Sequence, residues 1–181
     1  MNTRLGILNI VPIKERPELL AEPVAKAISN LSDADTIGVT EIDPRLSDTT
    51  AFCAQYQVDM NRTVNCVVLE AKRGDRTWFA TAVIFGDTRA DVNGLARRTL
   101  EARKVSFAPM DQAVAQTGME YGGISPIGIP ADWPILIDKA VADSEYVIVG
   151  SGIRKSKLVI PGKILAALPN AKVLESLGQK K

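Results

Sequence analysis

Apolar residues recur along this chain at two different spacings, and the switches between them mark out its elements. Residues 4–11 hold a short apolar run ended by Pro12, which predicts a strand. From Pro17 onward, Leu19, Leu20, Val24, Ile28 and Leu31 return every three or four positions, the period of a helix face. Residues 36–42 alternate as a strand does and close at Asp43-Pro44. A second helix is expected over 47–57, with Ser47 and Asp48 available as caps. Residues 63–71 and 77–85 are rich in β-branched and aromatic side chains and flank Lys72-Arg-Gly-Asp-Arg76, which predicts a hairpin.

A helix beginning at Asp91, a strand over 105–107 and a helix over 109–117 stopped by Gly118 follow. The continuous apolar runs 134–137 and 146–149 have the pattern of strands buried on both faces, and 157–160 adds another. Residues 161–168 predict a short helix, and Gly178 to Lys181 a frayed, solvated tail. Strands and helices mix throughout, without a linker or repeat. The expected architecture is therefore one α+β domain, with a central mixed, mostly antiparallel and partly barrel-like sheet and flanking helices.

Composition narrows the chemistry. The 181 residues are 46% hydrophobic and 24% charged, ordinary for a globular protein, and only 5% aromatic, so the core should be aliphatic. A net charge of +1 gives no global attraction to nucleic acid, so any such binding needs a local basic patch. The chain has no histidine, and Cys53 and Cys66 fall in no metal-ligand spacing. Neither a metal site nor a cofactor is expected, and both cysteines read as small buried hydrophobes. No apolar run approaches the roughly 20 residues a bilayer span needs. The first twelve residues lack a cleavage site, so a cytoplasmic location without membrane partners is expected.

Two glycine-bearing loops and one polar strand position stand out. Tyr121-Gly-Gly-Ile-Ser-Pro-Ile-Gly128 packs three glycines and a proline around one serine, the recipe for a stiff bend whose amides face outward. Gly150-Ser-Gly-Ile-Arg-Lys-Ser-Lys157 follows a buried strand and carries Arg154, Lys155 and Lys157. It matches neither a Walker loop nor a dinucleotide fingerprint. Asn65 interrupts an apolar strand, facing either solvent or a polar partner, and Arg62 lies near the strand entrance, within reach of a phosphate or carboxylate. Ser125 has no histidine to activate it, and a Ser–Lys dyad with Lys104 or Lys155 has no support in spacing. Its expected job is to hold the loop.

These segments together resemble the YbaK/prolyl-tRNA-synthetase-associated-domain family of aminoacyl-tRNA deacylases. The resemblance rests on Gly122-Gly-Ile-Ser-Pro-Ile-Gly128, Asp48-Thr-Thr-Ala-Phe52, Arg103-Lys-Val-Ser-Phe-Ala-Pro109, Pro134-Ile-Leu-Ile-Asp138 and Val149-Gly-Ser-Gly152, in family order over roughly residues 35–175. Residues 1–34 then form an N-terminal extension of a single domain spanning 1–181, able to lid a pocket or extend the sheet.

The resemblance implies a free-standing enzyme that hydrolyses the ester of a mischarged aminoacyl-tRNA at its 3′ acceptor end. Gly122, Gly123, Ile124, Ser125, Pro126 and Gly128 would form the loop whose amides hold the oxyanion, with water attack assisted by the substrate itself. Arg62, Asn65, Gly150, Ser151, Gly152 and Arg154 would bind the substrate. Family members commonly carry a lysine where this chain has Val64, and Arg62 is the nearest cation on the same expected strand. The rival is a non-catalytic module binding tRNA, nucleotide or protein on the same fold, and a third option makes both glycine loops plain turns. A homodimer is left open.

Overall fold

The structure, a computed structural model, describes residues 5–181. The strand expected at 4–11 forms only at its far end, as β1 (Val11–Pro12). Position 4 lies outside the described residues. Before β1 the chain turns at Gly6, φ +62°, and the Ile7 amide donates to the Tyr56 carbonyl. The helical period that starts at Pro17 resolves into one 3₁₀ turn, Pro17–Leu19, and then α1 (Glu22–Ile28) with Pro23 in its first turn. Leu19, Val24 and Ile28 are fully buried on the predicted face.

Next come β2 (Gly38–Glu41) and α2 (Thr49–Tyr56). Asp48, rather than Ser47, caps α2, its carboxylate accepting from the amides of Thr50 and Ala51. The hairpin strands β3 (Val64–Arg73) and β4 (Arg76–Phe85) pair along their whole length, from Val64↔Phe85 to Arg73↔Arg76. They outrun the hydrophobic pattern because the charged residues near the turn extend the ladder into solvent. β5 (Thr88–Ala90) follows. The Asp91 side chain then caps a π-helical turn, Val92–Ala96, that runs into α3 (Arg97–Thr99). β6 (Lys104–Phe107) leads to α4 (Met110–Thr117), stopped by Gly118 at φ +66°.

The last third holds β7 (Ile135–Asp138), α5 (Lys139–Ala142), β8 (Val147–Gly150), β9 (Ser156–Ile160), α6 (Gly162–Ala166), β10 (Ala171–Leu174) and β11 (Gly178–Lys180). The expected frayed tail is thus a strand. β11 pairs antiparallel with β5, and the Gly178 amide donates to Asp138 at 2.6 Å. Both partners are three residues long and polar, too short to show a period.

The α+β class holds, with pairing distributed over two larger sheets besides the two-stranded β11–β5 pair. β1-β2-β9-β8 is antiparallel throughout, whereas β10-β7-β4-β3-β6 is mixed, β7 lying parallel to both β4 and β10. A bridge between Thr63 and Ile148 joins them, and they do not close into a barrel. The continuous apolar runs have a direct cause. On β8 and β9, Val147, Val149, Leu158 and Ile160 enter the main core with α1, while Ile148 and Val159 pack on the other side with Phe52 of α2. Among the described residues, no helix is long and apolar enough to cross a membrane.

Candidate active site

Where β3 leaves its junction with β8, the strand, the start of α2, the start of α4 and the two glycine loops surround an open cavity of about 520 Å³. Ser47 to Thr50 form one side, and Asn65 to Val68 the floor. Gly122, Ile124 and Gly150 form the adjoining wall, and Arg154, Lys157 and Lys181 bring positive charge to the cavity. Phe107, Met110 and Tyr121 stand at its lip, and Phe107 and Tyr121 are 64% and 54% exposed.

The two glycine loops are one wall because their backbones bond to each other. The Gly152 amide donates to the Gly123 carbonyl at 2.7 Å, and the Glu120 amide to the Gly152 carbonyl at 2.8 Å. A side chain at Gly150 would run into the carbonyl oxygens of Gly123 and Ile124, and one at Gly123 would sit 2.6 Å from the Ile153 carbonyl. Glycine is required here by close backbone approach.

Much of the loop's hydrogen-bonding capacity is spent internally. The Gly123 amide donates to the Glu120 carbonyl, the Ser125 amide to the Met119 sulfur, and the Ile127 amide to Ser125 Oγ. Pro126 has no amide hydrogen. This corrects the expectation that amides along Gly123 to Gly128 face a ligand together. The amides of Gly122 and Ile124 have no partner among the described residues, and both residues line the cavity.

Several candidate residues stand behind the wall. Ser125 is completely buried and serves as a turn anchor, while Gly128 is pressed against the backbone of Pro23 and Val24. Ser151 Oγ pairs with Ser156 Oγ at 2.7 Å, and Gly152 is covered by Ala21, Val24 and Met119. The N-terminal segment is what covers them. The Ala21 amide donates to the Ser151 carbonyl and Ser156 Oγ donates to the Leu19 carbonyl. The segment extends a sheet and backs the loops, and none of its described residues lines the cavity.

Arg62 is also placed elsewhere. It belongs to an exposed 3₁₀ turn, Met60–Arg62, ahead of β3, so it shares no strand face with Val64 and does not line the cavity. Lys104 and Lys155 are exposed, and no Ser125–Lys hydrogen bond occurs among the described residues. Asn65, by contrast, lies on the cavity floor. Thr49 Oγ1 donates to its Oδ1 at 2.6 Å, which fixes the amide plane and leaves Nδ2 without a partner among the described residues. The guanidinium of Arg154 donates to the Pro44 carbonyl, and its amide to Glu120.

Two cavity groups were not legible as such in the sequence. Lys181 reaches the mouth because β11 is ordered, its ammonium donating to the Gly86 carbonyl at 2.8 Å. Lys157, only 9% exposed, donates to the Ser47 carbonyl at 3.1 Å and lies 5.7 Å from the Phe52 ring. Burial pulls its ammonium from the ordinary 10.5 down to about 8, against the opposing charge of Asp48. Cys66 also lines the cavity, but burial pushes its thiol up to about 12, so it stays protonated and is no nucleophile at neutral pH.

The family profile described as the aminoacyl-tRNA editing domain matches residues 43–168, well over half of the chain. The chain belongs to the aminoacyl-tRNA editing domain family. The matched span runs from the turn before α2 through α6 and so contains nearly the whole cavity wall. A candidate Cys-tRNA(Pro)/Cys-tRNA(Cys) deacylase of Enterococcus faecalis, EbsC, is 28% identical over 102 residues, 56% of this chain and 62% of that protein. The chain therefore spans less than two thirds of that relative's length.

Two solved structures share the editing-domain fold. One is a candidate trans-editing enzyme for prolyl tRNA synthetase, with a TM-score of 0.73 at 19% identity over 89% of this chain and 97% of that one. The other is a hypothetical protein, with a TM-score of 0.74 at 20% identity over 87% and 100%.

Proposed function

We propose that this editing domain acts in trans on mischarged aminoacyl-tRNA, hydrolysing the ester that joins the amino acid to the terminal ribose. The observation that carries it is the pair of unpartnered amides, Gly122 and Ile124, on the wall of a cavity whose floor presents the fixed Asn65 amide. An acyl ester is already activated, so a site that orients it and stabilises the developing oxyanion needs no ionisable nucleophile. One such donor is typically worth ~3–4 kcal/mol. Water is activated by the substrate's own amine or ribose hydroxyl, which fits a chain without histidine and with Cys66 protonated.

The exposed rings of Phe107 and Tyr121 suit stacking of the terminal adenine, a contact worth ~1–3 kcal/mol per base. Arg154 and Lys181 suit the adjoining phosphates, so binding should weaken with salt. The cavity is within the size range of small-ligand sites, and such a site selects among acyl groups by the room left for the side chain. Such a protein works in the cytoplasm, without metal or cofactor.

The test is a panel of mischarged tRNAs carrying small noncognate residues, with release of free amino acid followed against a protein-free control. Release well above the control supports the proposal. Tight tRNA binding with no release would assign the fold to binding alone.

A further inference from the structure

Lys157 is the one cavity-lining cation whose side chain is buried among the described residues. It reaches the cavity because β9 is covered on both faces. Leu158 and Ile160 fill the main core, whereas the other face of the strand, with Val159, packs toward Phe52. The long stem follows that second face to the start of α2, where the ammonium meets the Ser47 carbonyl. An ammonium carries three N–H donors. A single protein acceptor bonds this one among the described residues. Burying a charge so incompletely paired is costly, and a neutral side chain of the same volume would pack there at lower cost.

The geometry says what the remaining donors face. Ser47 is shared by two parts of the site, since its carbonyl takes the Lys157 ammonium and its Oγ lies 2.9 Å from where a Cβ on Gly122 would be. The unpartnered Gly122 amide and the ammonium thus flank one residue on the cavity wall. Asp48, at the cap of α2, is the carboxylate whose charge acts on Lys157, and it is already bonded to two helix amides. Cys53, inside α2, has its thiol pushed up by burial and is neutral. Thr40 is the register partner of Lys157 on β2 and Gly150 its partner on β8, and neither carries charge. Arg154 and Lys181, the other cavity cations, are exposed, so water can complete the bonding of charges that the Pro44 and Gly86 carbonyls meet in part.

We propose that Lys157 contacts the substrate, its ammonium hydrogen-bonding the acyl carbonyl oxygen beside the Gly122 amide and holding the negative charge that develops there. This rests on the deacylase reading. Water adds to the carbonyl carbon and gives its proton to the substrate's amine, while the carbonyl electron pair moves onto the oxygen held by Lys157. Collapse of that tetrahedral species breaks the carbon–ribose oxygen bond. The ribose oxygen takes the proton back, and free amino acid leaves. Lys157 keeps its proton throughout, acting as an electrostatic donor rather than a base.

The experiment compares wild type, Lys157→Met and Lys157→Arg on a mischarged tRNA that the wild type hydrolyses, measuring kcat and KM from pH 6.5 to 9.5 and Tm for each protein. Lys157→Met should lower kcat about 100-fold or more, with KM changed far less and Tm unchanged or raised. Lys157→Arg should recover at least a tenth of the lost rate. Because the ammonium titrates at about 8, wild-type kcat relative to uncatalysed hydrolysis should fall as pH rises through that value, and the Arg variant should lack that fall. A Met variant with wild-type kcat and pH profile overturns the assignment while leaving the deacylase reading intact. So does a Met variant whose rate loss is matched by a lowered Tm. A wild type inert on every ester removes the deacylase reading, and the role of Lys157 with it.

Discussion

The Gly152 amide donates to the Gly123 carbonyl across 2.7 Å, and that bond turns two loops separated by a whole βαβ stretch into a single wall. Gly150 lies against the same carbonyl, with no room for a side chain. Replacing Gly150 by Ala should therefore push the loops apart. The expected cost is about 1–3 kcal/mol of overpacking, or roughly 2–10 °C in Tm, with deacylation lost. Gly74→Ala is the control. Its turn has open space around it, and only its positive φ is strained, so Tm should fall by a smaller amount and activity should be retained. Thermal unfolding and ester hydrolysis on the two variants check this.

Asn65→Ala should separate binding from folding. Its side chain is half-buried on the cavity floor and oriented by Thr49. Losing one oriented donor to a charged or strongly polar substrate group typically costs ~1.5–3 kcal/mol, so kcat/KM for deacylation should drop about 10- to 100-fold. Stability should change by under about 1 kcal/mol, because the cavity is open to water. Thr49→Val should show the same direction with a smaller loss, through misorientation of the amide.

The buried ammonium also makes a stability prediction that does not depend on the enzymatic reading. Lys157 releases its proton at about 8 when folded and near 10.5 when unfolded. Between those values the unfolded chain binds more protons, so the contribution of this group to stability rises as pH increases through the window. The gain is at most ~3 kcal/mol. Urea unfolding at pH 7.5 and 10 should show wild type gaining on Lys157→Met by an amount in that direction. Equal pH dependence in the two proteins would place the ammonium in water.

Both cysteines should be silent toward thiol reagents. Burial pushes Cys66 up to about 12 and raises Cys53 as well. At pH 8 the folded protein should react with less than one equivalent of a thiol-specific chromophore over minutes, against two equivalents in denaturant. Fast reaction of one thiol in the folded protein would contradict the packing around α2 and β3.

The long periodic elements were legible because burial imposes their period. The β3–β4 hairpin and the apolar runs of β7, β8 and β9 are each read from side chains that must face a core. The N-terminal strand and the helix from Pro17 were overextended, since Gly6 turns the chain and Pro23 delays α1. Strands β5, β10 and β11 carry too few buried positions to leave a signal. At the candidate site, glycine pointed to two loops that line the cavity, but for a different reason than expected. Most of those glycines serve contact between backbones, while Gly122 and Ile124 line the cavity with amides that have no partner among the described residues. In the sequence Lys157 reads as one of three loop cations at the start of a strand. Its burial follows from a strand with no exposed face, which the sequence Ser156-Lys-Leu-Val-Ile160 does not show.

The central claim is that the acyl end of the substrate lies against Gly122, Ile124 and Asn65. The most direct measurement is a backbone amide NMR titration with 3′-alanylamino-3′-deoxyadenosine, in which a stable amide replaces the ester. The account predicts saturable shifts concentrated at Gly122, Ile124, Asn65 and Gly150, with the Gly123 and Ser125 amides, already bonded internally, moving little. Saturable shifts confined to a different face, with those four signals unmoved, would contradict it.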